Sequence, residues 1–248
     1  MRYLTAVPVY NEEQHVDEVL NAITSITSDV LVIDDGSTDG TADRLSCRDD
    51  VFVLRHKPNR GYGAALKTAF RFAVEQRYDG LITLDCDGQH QPQLIPDFVR
   101  VASQWDIVSG SRYLSSFESD APAPAERRSI NLQITAELND LLGFALTDAF
   151  CGFKAYRVDK IARLNLIEDG YAMPLELWVQ ASNAGLRITE LPVPRIYLDE
   201  RRSFGDSLDD AGVRLAHYRK VITDSMQRIQ DASSWCCDEI AMANQVEC

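Results

Sequence analysis

Short apolar runs alternate with amphipathic segments along the first half of the chain. The runs have the length of buried strands, and the segments between them repeat apolar residues at helical spacing, beginning with Val16, Val19, Leu20 and Ile23. The pattern predicts strands near residues 3–9, 30–33, 51–54, 81–84 and 107–110, with helices near 16–23, 62–76 and 94–105. This alternation indicates an α/β fold, in which helices cover both faces of a mostly parallel central sheet.

The pattern changes after Arg112. Residues 115–124 are rich in Ser, Pro, Ala and acidic residues, which predicts a mobile loop. Further periodicities predict helices over 130–141 and 171–184, and strands over 151–157 and 187–193. We find no internal repeat and no clear linker. We therefore predict one α/β domain over residues 1–207, an amphipathic C-terminal helix over 208–230 and a tail over 231–248.

The predicted C-terminal helix carries an apolar stripe. Leu208, Leu215, Ile222 and Ile229 recur every seven residues. One interpretation is that the stripe packs on the rest of the chain, as most amphipathic helices do. The other is that it mediates self-association into a homo-oligomer, or docks on a partner or a bilayer. The polar face mixes acidic and basic residues, so association is favoured over direct bilayer binding.

Composition and charge narrow the class of function. The formal net charge of −13 argues against a nucleic-acid-binding protein, which would normally carry a basic face. There is no polybasic membrane patch, no run of roughly 20 apolar residues and no signal-peptide layout. The six cysteines are scattered, which predicts reduced thiols, no zinc site and a cytoplasmic location. Peripheral contact with a membrane stays open.

Two carboxylates follow the fourth predicted strand. Asp85 and Asp87 are separated by one residue, and residues at that spacing in a strand point to the same face. Oxygen ligands suit Mg²⁺ or Mn²⁺, which is commonly shared with substrate phosphates. Gln89 is a candidate for a third, neutral oxygen. The alternative is an ordinary solvated turn, since Asp and Gly are common turn residues.

Other polar clusters also fall at the carboxyl ends of predicted strands, where ligands of α/β sheets bind. After the first strand, Tyr10 is suited to stack on a base and Glu12 to accept hydrogen bonds from the nucleoside. After the second strand, Asp35 is suited to bind a base N–H or ribose hydroxyls. Gly63 lies at a helix start, where the backbone can approach a phosphate. For each cluster, a purely structural turn is the alternative.

Six ordered motifs together resemble glycosyltransferase family 2, in the branch of dolichyl-phosphate mannose synthases and polyprenyl-phosphate glycosyltransferases. The motifs fall within residues 3–207, at residues 8–13, 34–41, 59–66, 85–92, 110–113 and 148–157. The resemblance implies the GT-A fold, a Rossmann-like nucleotide-sugar-binding sandwich. It also implies which residues bind the donor nucleoside, namely Pro8, Tyr10, Glu12, Ile33 and Asp35.

The resemblance further implies how the donor diphosphate is held. Asp85, Asp87 and Gln89 fall where the family binds the divalent metal, and Arg112 falls where it binds phosphate. The segment from Arg202 to Ser207 is similar to an Arg-x-x-Gly-x-Ser-Lys motif that closes over the donor. Leu208 stands at the lysine position, so one expected phosphate contact is absent.

The resemblance implies an inverting, metal-dependent transfer of mannose or glucose, from GDP-mannose or UDP-glucose, to a polyprenyl or dolichyl phosphate. Asp87 and Arg112 would stabilise the leaving diphosphate. Asp148 is a candidate general base for a hydroxyl acceptor, with turn capping as its alternative. The loop over 114–128 ends in Arg127 and Arg128 and is a candidate to bind a lipid phosphate. The alternative is an ordinary solvated surface loop. A transferase for a small hydroxyl acceptor and a non-catalytic nucleotide-sugar-binding subunit remain alternatives.

Overall fold

A computed structural model of the protein describes residues 1–197 and 206–243. A single seven-stranded sheet forms its centre. The strands are β1 (Tyr3–Val9), β2 (Val30–Asp34), β3 (Phe52–Arg55), β4 (Gly80–Thr83), β5 (Ile107–Ser111), β6 (Lys154–Arg157) and β7 (Ile188–Pro192). The helices are α1 (Val16–Thr24), α2 (Thr41–Ser46), α3 (Tyr62–Glu75), α4 (Ile95–Ala102), α5 (Ala125–Leu142), α6 (Val158–Ile161), α7 (Met173–Asn183) and α8 (Ala211–Ala243). The short helices α2 and α6 were not predicted from the sequence.

The strand order is β3-β2-β1-β4-β6-β5-β7. All neighbouring strands are parallel except β6, which is antiparallel to both β4 and β5. The predicted mostly parallel α/β sheet is therefore confirmed. Because β6 is reversed, the turn that precedes it lies beside the carboxyl end of β4, with Lys154 opposite Thr83. This brings the region around Asp148 to the same edge as the Asp85 motif.

Side chains alternate between the two faces of the sheet, and helices cover both. Leu4 and Leu31 point into a core cluster that also contains residues of α3, α5, α7 and α8. Val7 and Val32 point into the opposite cluster, which they share with α1 and α4. The edge strand β3 differs from this pattern, because the side chains of Phe52 and Val53 are exposed. An apolar run was therefore not sufficient evidence of burial there.

The C-terminal helix begins later than predicted and extends further. Leu208 lies in a 3-10 turn over Asp206–Asp209, and the α-helix begins at Ala211. Asp210 accepts a hydrogen bond from the Val213 amide at 2.9 Å, which caps the first turn. Leu208, the first residue of the predicted seven-residue repeat, therefore lies before the helix. Among the helices that the structure describes, none is both long and apolar enough to span a bilayer.

The apolar stripe of α8 faces the protein. Tyr218, Val221 and Ile222 are buried in the same cluster as α5 and α7, and Leu215 and Ile229 pack at its margin. This geometry corresponds to the first interpretation of the stripe, that it packs on the rest of the chain. Arg219 adds an ion pair to Glu137 of α5 on the exposed side.

Deletion of residues 211–248 should therefore yield protein that is insoluble or melts far below the full chain. Each large side chain buried by α8 contributes about 2 kcal/mol, so three of them represent a large share of a stability of roughly 5–15 kcal/mol. The melting temperature of the truncated protein, followed by circular dichroism, measures this. A truncated protein that stays folded with an unchanged melting temperature would assign α8 to association instead.

Candidate active site

A cavity of about 910 Å³ opens at the carboxyl edge of β1, β2 and β4. It lies where the ligands of parallel sheets bind. Residues from every predicted polar cluster line it, including Pro8, Tyr10, Glu12, Asp35, Asp85, Asp87, Gln89 and Arg112. The structure thus brings together eight of the predicted site residues on one surface.

The loops after β1 and β2 are tied to each other at one side of the cavity. The Asn11 amide donates to Ser37 Oγ at 3.0 Å, and the Thr38 amide donates to Asn11 Oδ1 at 2.8 Å. The Glu12 amide donates to Thr41 Oγ1 at 2.9 Å, and the Glu12 side chain is buried. Tyr10, by contrast, is 44% exposed, so its ring is accessible to a planar ligand.

Asp35 is buried and its carboxylate is already engaged within the protein. Its two oxygens accept from the amides of Arg60 at 3.0 Å and Gly61 at 2.8 Å. His56 Nδ1 lies 2.6 Å from Asp35 Oδ1, and the other ring nitrogen of His56 lies 2.9 Å from Thr68 Oγ1. Asp35 therefore fixes the loop that precedes α3 while it lines the cavity. His56 was not singled out from the sequence, because no motif marks it.

Two predicted donor-binding residues do not line the cavity. The Ile33 side chain is completely buried in the core, so only its backbone is available to a ligand. A Cβ at Gly63 would lie 2.7 Å from the Glu168 carbonyl oxygen and 2.7 Å from Met173 Cβ, so this glycine serves close packing of α3. This packing gives Gly63 a structural role, and its approach to a phosphate stays a prediction. Gly61 lines the cavity instead, with a φ of +104°.

Asp85 is held from two sides at the end of β4. The Tyr62 hydroxyl donates to Asp85 Oδ1 at 2.9 Å, and His90 Nε2 lies 3.2 Å from Oδ2. A Cβ at position 152 would lie 2.3 Å from Asp85 Oδ2, so a larger residue there would displace this carboxylate. His90 thus holds the loop that follows β4 against this carboxylate.

Asp87 lies in the turn that follows, where its Oδ1 accepts from the Gln89 amide at 3.0 Å. Among the described residues, no group of three or more His, Cys, Asp and Glu side chains comes together as a complete metal site. Two carboxylates and an amide oxygen on a cavity wall nevertheless fit a hard cation that takes its other ligands from water and substrate phosphates. Asp85, Asp87 and Gln89 are the residues that would hold it.

Arg112 and Asp148 form a buried ion pair beside these carboxylates. Arg112 Nε lies 2.7 Å from Asp148 Oδ2, and Nη2 lies 3.0 Å from Oδ1, so the contact is bidentate. Asn131 Nδ2 and the Phe150 amide also donate to Oδ1, at 2.8 and 3.1 Å. Arg112 lines the cavity, whereas Asp148 is completely buried behind it.

The surroundings of Asp148 favour a structural role over that of a general base, the two roles that the sequence left open. Burial raises the pKa of this carboxyl, but the charge and hydrogen bonds of Arg112 and the amide of Asn131 lower it to about 2. Burial lowers the pKa of Arg112, yet Asp148 raises it well above its ordinary value. A carboxylate with so low a pKa is a weak proton acceptor near neutral pH.

Further cationic and aromatic side chains complete the cavity. The cavity is also lined by Arg127, Tyr171, Tyr197 and Arg214. The sequence predicted no such role for Tyr171, Tyr197 and Arg214, because they come from distant segments. Arg128 stacks on Tyr113, with its guanidinium carbon 3.5 Å from the ring centroid. Arg202 lies outside the described residues.

Comparison with known proteins identifies the family of this chain. The family model "Glycosyl transferase family 2" matches residues 5–164. An undecaprenyl-phosphate mannosyltransferase from Micrococcus luteus is 33% identical over 222 residues, covering 86% of this chain and 89% of that protein. A polyprenol monophosphomannose synthase from Mycolicibacterium smegmatis is 29% identical over 203 residues, covering 77% and 76% of the two chains.

A solved structure of glucosyl-3-phosphoglycerate synthase from Mycobacterium tuberculosis superposes on this chain with a TM-score of 0.68 at 18% identity. That structure is a complex with Mn²⁺, UDP-glucose and phosphoglyceric acid. The match covers 91% of this chain and 80% of that one. This likeness confirms the fold class expected from the sequence. The family match and the identities confirm the resemblance to that family. The chain belongs to glycosyl transferase family 2 and is a glycosyltransferase.

Proposed function

We propose that the protein transfers a sugar from a nucleoside-diphosphate sugar to a polyprenyl phosphate, with a divalent cation and with inversion at the anomeric carbon. The observation that carries the proposal is one cavity lined by Asp85, Asp87 and Arg112 beside Tyr10 and Asp35. Carboxylates for a cation and a guanidinium for phosphate are the groups that a leaving nucleoside diphosphate requires. The names of the two relatives support a polyprenyl phosphate acceptor and mannose as the sugar.

The donor would lie along the carboxyl edge of the sheet. Tyr10 offers an exposed ring for the base, and Asp35 shapes the Arg60–Gly61 backbone that borders the same space. When bound on Asp85 and Asp87, a cation would neutralise charge on the diphosphate. Arg112 faces the same region with its orientation fixed by Asp148. Its charge stabilises the negative charge that develops as the glycosidic bond breaks.

A polyprenyl phosphate is the proposed acceptor because Asp148 is poorly suited to act as a general base. A hydroxyl acceptor needs a general base, whereas a lipid phosphate is already anionic near neutral pH. Arg127 lines the cavity at the first turn of α5, where its charge would attract such a phosphate. The donor would be GDP-mannose or UDP-glucose, and GDP-mannose is the first to test because of the relatives' names.

A thermal-shift screen of both nucleotide sugars, with and without Mn²⁺, tests the proposal. A ligand that binds only the folded state raises the melting temperature by an amount that grows with concentration. We expect one donor to stabilise the protein in the presence of Mn²⁺ and much less in its absence. A melting temperature that neither donor changes, with or without the cation, would contradict the proposal.

Replacement of Asp35 by alanine should weaken nucleoside diphosphate binding by about tenfold, the effect of losing hydrogen bonds to a charged group. The loop over Arg60 and Gly61 would lose both of its carboxylate acceptors. Calorimetric titration with GDP or UDP measures this change, and Asp43→Ala, in α2, serves as the control. Equal affinity in the Asp35 variant and the unmodified protein would remove Asp35 from the donor site.

A further inference from the structure

One loop connects the C-terminal helix to the cavity. This bracket loop, residues 167–171, is anchored at its start by Glu176 of α7, whose side chain is fully buried. Glu176 Oε2 accepts from the amides of Ile167 at 2.9 Å and Glu168 at 2.7 Å. The other oxygen accepts from Arg228 Nη2 of α8 at 2.5 Å. A buried carboxylate thus joins the bracket loop to a guanidinium of the last helix.

The bracket loop also lies directly against the start of α3. The Ala64 amide donates to the Asp169 carbonyl oxygen at 3.0 Å. Lys67 Nζ donates to the Ile167 carbonyl oxygen at 2.8 Å and lies 2.7 Å from Asp169 Oδ1. A Cβ at Gly61 would lie 2.4 Å from the Asp169 carbonyl oxygen, so the two backbones meet without intervening side chains. A shift of the bracket loop would therefore move the first turn of α3.

The last residue of the bracket loop reaches the carboxylate cluster through one ring. Tyr171 stacks on Tyr62, with ring centroids 5.7 Å apart and planes inclined by 15°. The Tyr62 hydroxyl donates to Asp85 Oδ1 at 2.9 Å.

We propose that Arg228 and Glu176 are positioning residues for Asp85. They hold the bracket loop, the loop holds Tyr62, and Tyr62 fixes the rotamer of the carboxylate that faces the cavity. The inference rests on the proposed function, in which Asp85 binds a cation with the donor diphosphate. Through Arg228, which lies near the middle of α8, the last helix would take an indirect part in donor binding.

A double-mutant cycle tests this connection, because coupled sites show non-additive effects. The variants are Arg228→Gln, Tyr62→Phe and their combination, and Arg219→Gln is the matched control, since it removes another ion pair of α8. The readout is the Mn²⁺ affinity in the presence of saturating GDP or UDP, by calorimetry. We expect a loss of about tenfold in each single variant, no further loss in the combination, and no change in the control.

Three results would overturn the connection. The first is a Mn²⁺ affinity of Arg228→Gln within twofold of that of the unmodified protein. The second is a loss of Mn²⁺ affinity in the combined variant that equals the product of the two single losses. The third is a loss of Mn²⁺ affinity in Arg219→Gln as large as that in Arg228→Gln. If Arg228→Gln does not fold, Tyr171→Ala, which breaks the ring stack, replaces it in the same cycle. Absence of Mn²⁺-dependent nucleotide binding in the unmodified protein would instead contradict the proposed function, and the connection with it.

Discussion

Replacement of Asp87 by alanine should reduce sugar transfer by roughly a thousandfold and remove Mn²⁺-dependent binding of nucleoside diphosphate. Asp87 lines the cavity beside Asp85, and its Oδ1 accepts a hydrogen bond from the Gln89 amide in the same turn. The substitution removes a proposed cation ligand from a turn at the cavity wall. The fold should survive, so transfer rates and calorimetric titrations can be compared at equal protein stability.

The matched control is Asp97→Ala. Asp97 is another partly exposed carboxylate near the Asp85 motif in sequence, but it lies on α4 and pairs with Arg100 at 2.9 Å. An exposed pair of this kind contributes less than about 1 kcal/mol to stability. The control should transfer sugar at the unmodified rate. Metal-dependent nucleotide binding that persists in the Asp87 variant would defeat the assignment.

Replacement of Asp148 by asparagine should destabilise the fold by about 3 kcal/mol and also reduce donor binding. The substitution leaves the Arg112 guanidinium, whose side chain is only 20% exposed, without its bidentate partner. Arg112 would then lose the orientation that directs it toward the cavity. Chemical denaturation measures the stability, and Asp159→Asn, in an exposed pair with Arg157, is the control.

The effect of Asp148→Asn should depend on pH in a defined direction. The pKa of Asp148 is about 2 in the folded protein, against an ordinary value of 3.8. A carboxyl whose pKa is lowered by folding stabilises the protein fully above its unfolded pKa, and this contribution is lost as the pH falls through the folded value. The stability difference between the two proteins should therefore be constant above about pH 5 and shrink between about pH 4 and pH 2. A constant difference down to pH 2 would contradict this account of the pair.

The first half of the fold was predictable because its signals are local. Each strand from β1 to β5 is a short apolar run, and each candidate residue after β1, β2 and β4 lies close to a strand end in sequence. The geometry of parallel sheets then requires those residues to meet at one edge. This explains why Tyr10, Asp35 and Asp85 were placed on one surface without any knowledge of tertiary contacts.

The rest depends on contacts between distant segments, which spacing does not encode. The ion pair of Arg112 and Asp148 joins residues 36 positions apart, and it favours a structural role for Asp148. The two glycines at the start of α3 look equivalent in sequence, yet Gly63 packs against Glu168 while Gly61 borders the cavity. The connection from Arg228 to Tyr62 is equally invisible, because every step crosses between separate elements.

The most direct test of the proposed function is a transfer assay with labelled GDP-mannose or UDP-glucose, Mn²⁺ and vesicles that contain undecaprenyl phosphate. We expect labelled sugar to enter the lipid fraction, chelation of the cation to prevent this, and the product to have the inverted anomeric configuration by NMR. Vesicles without the lipid phosphate should give no labelled lipid. Transfer only to water or to a soluble hydroxyl compound, with none to the lipid phosphate, would contradict the proposed function.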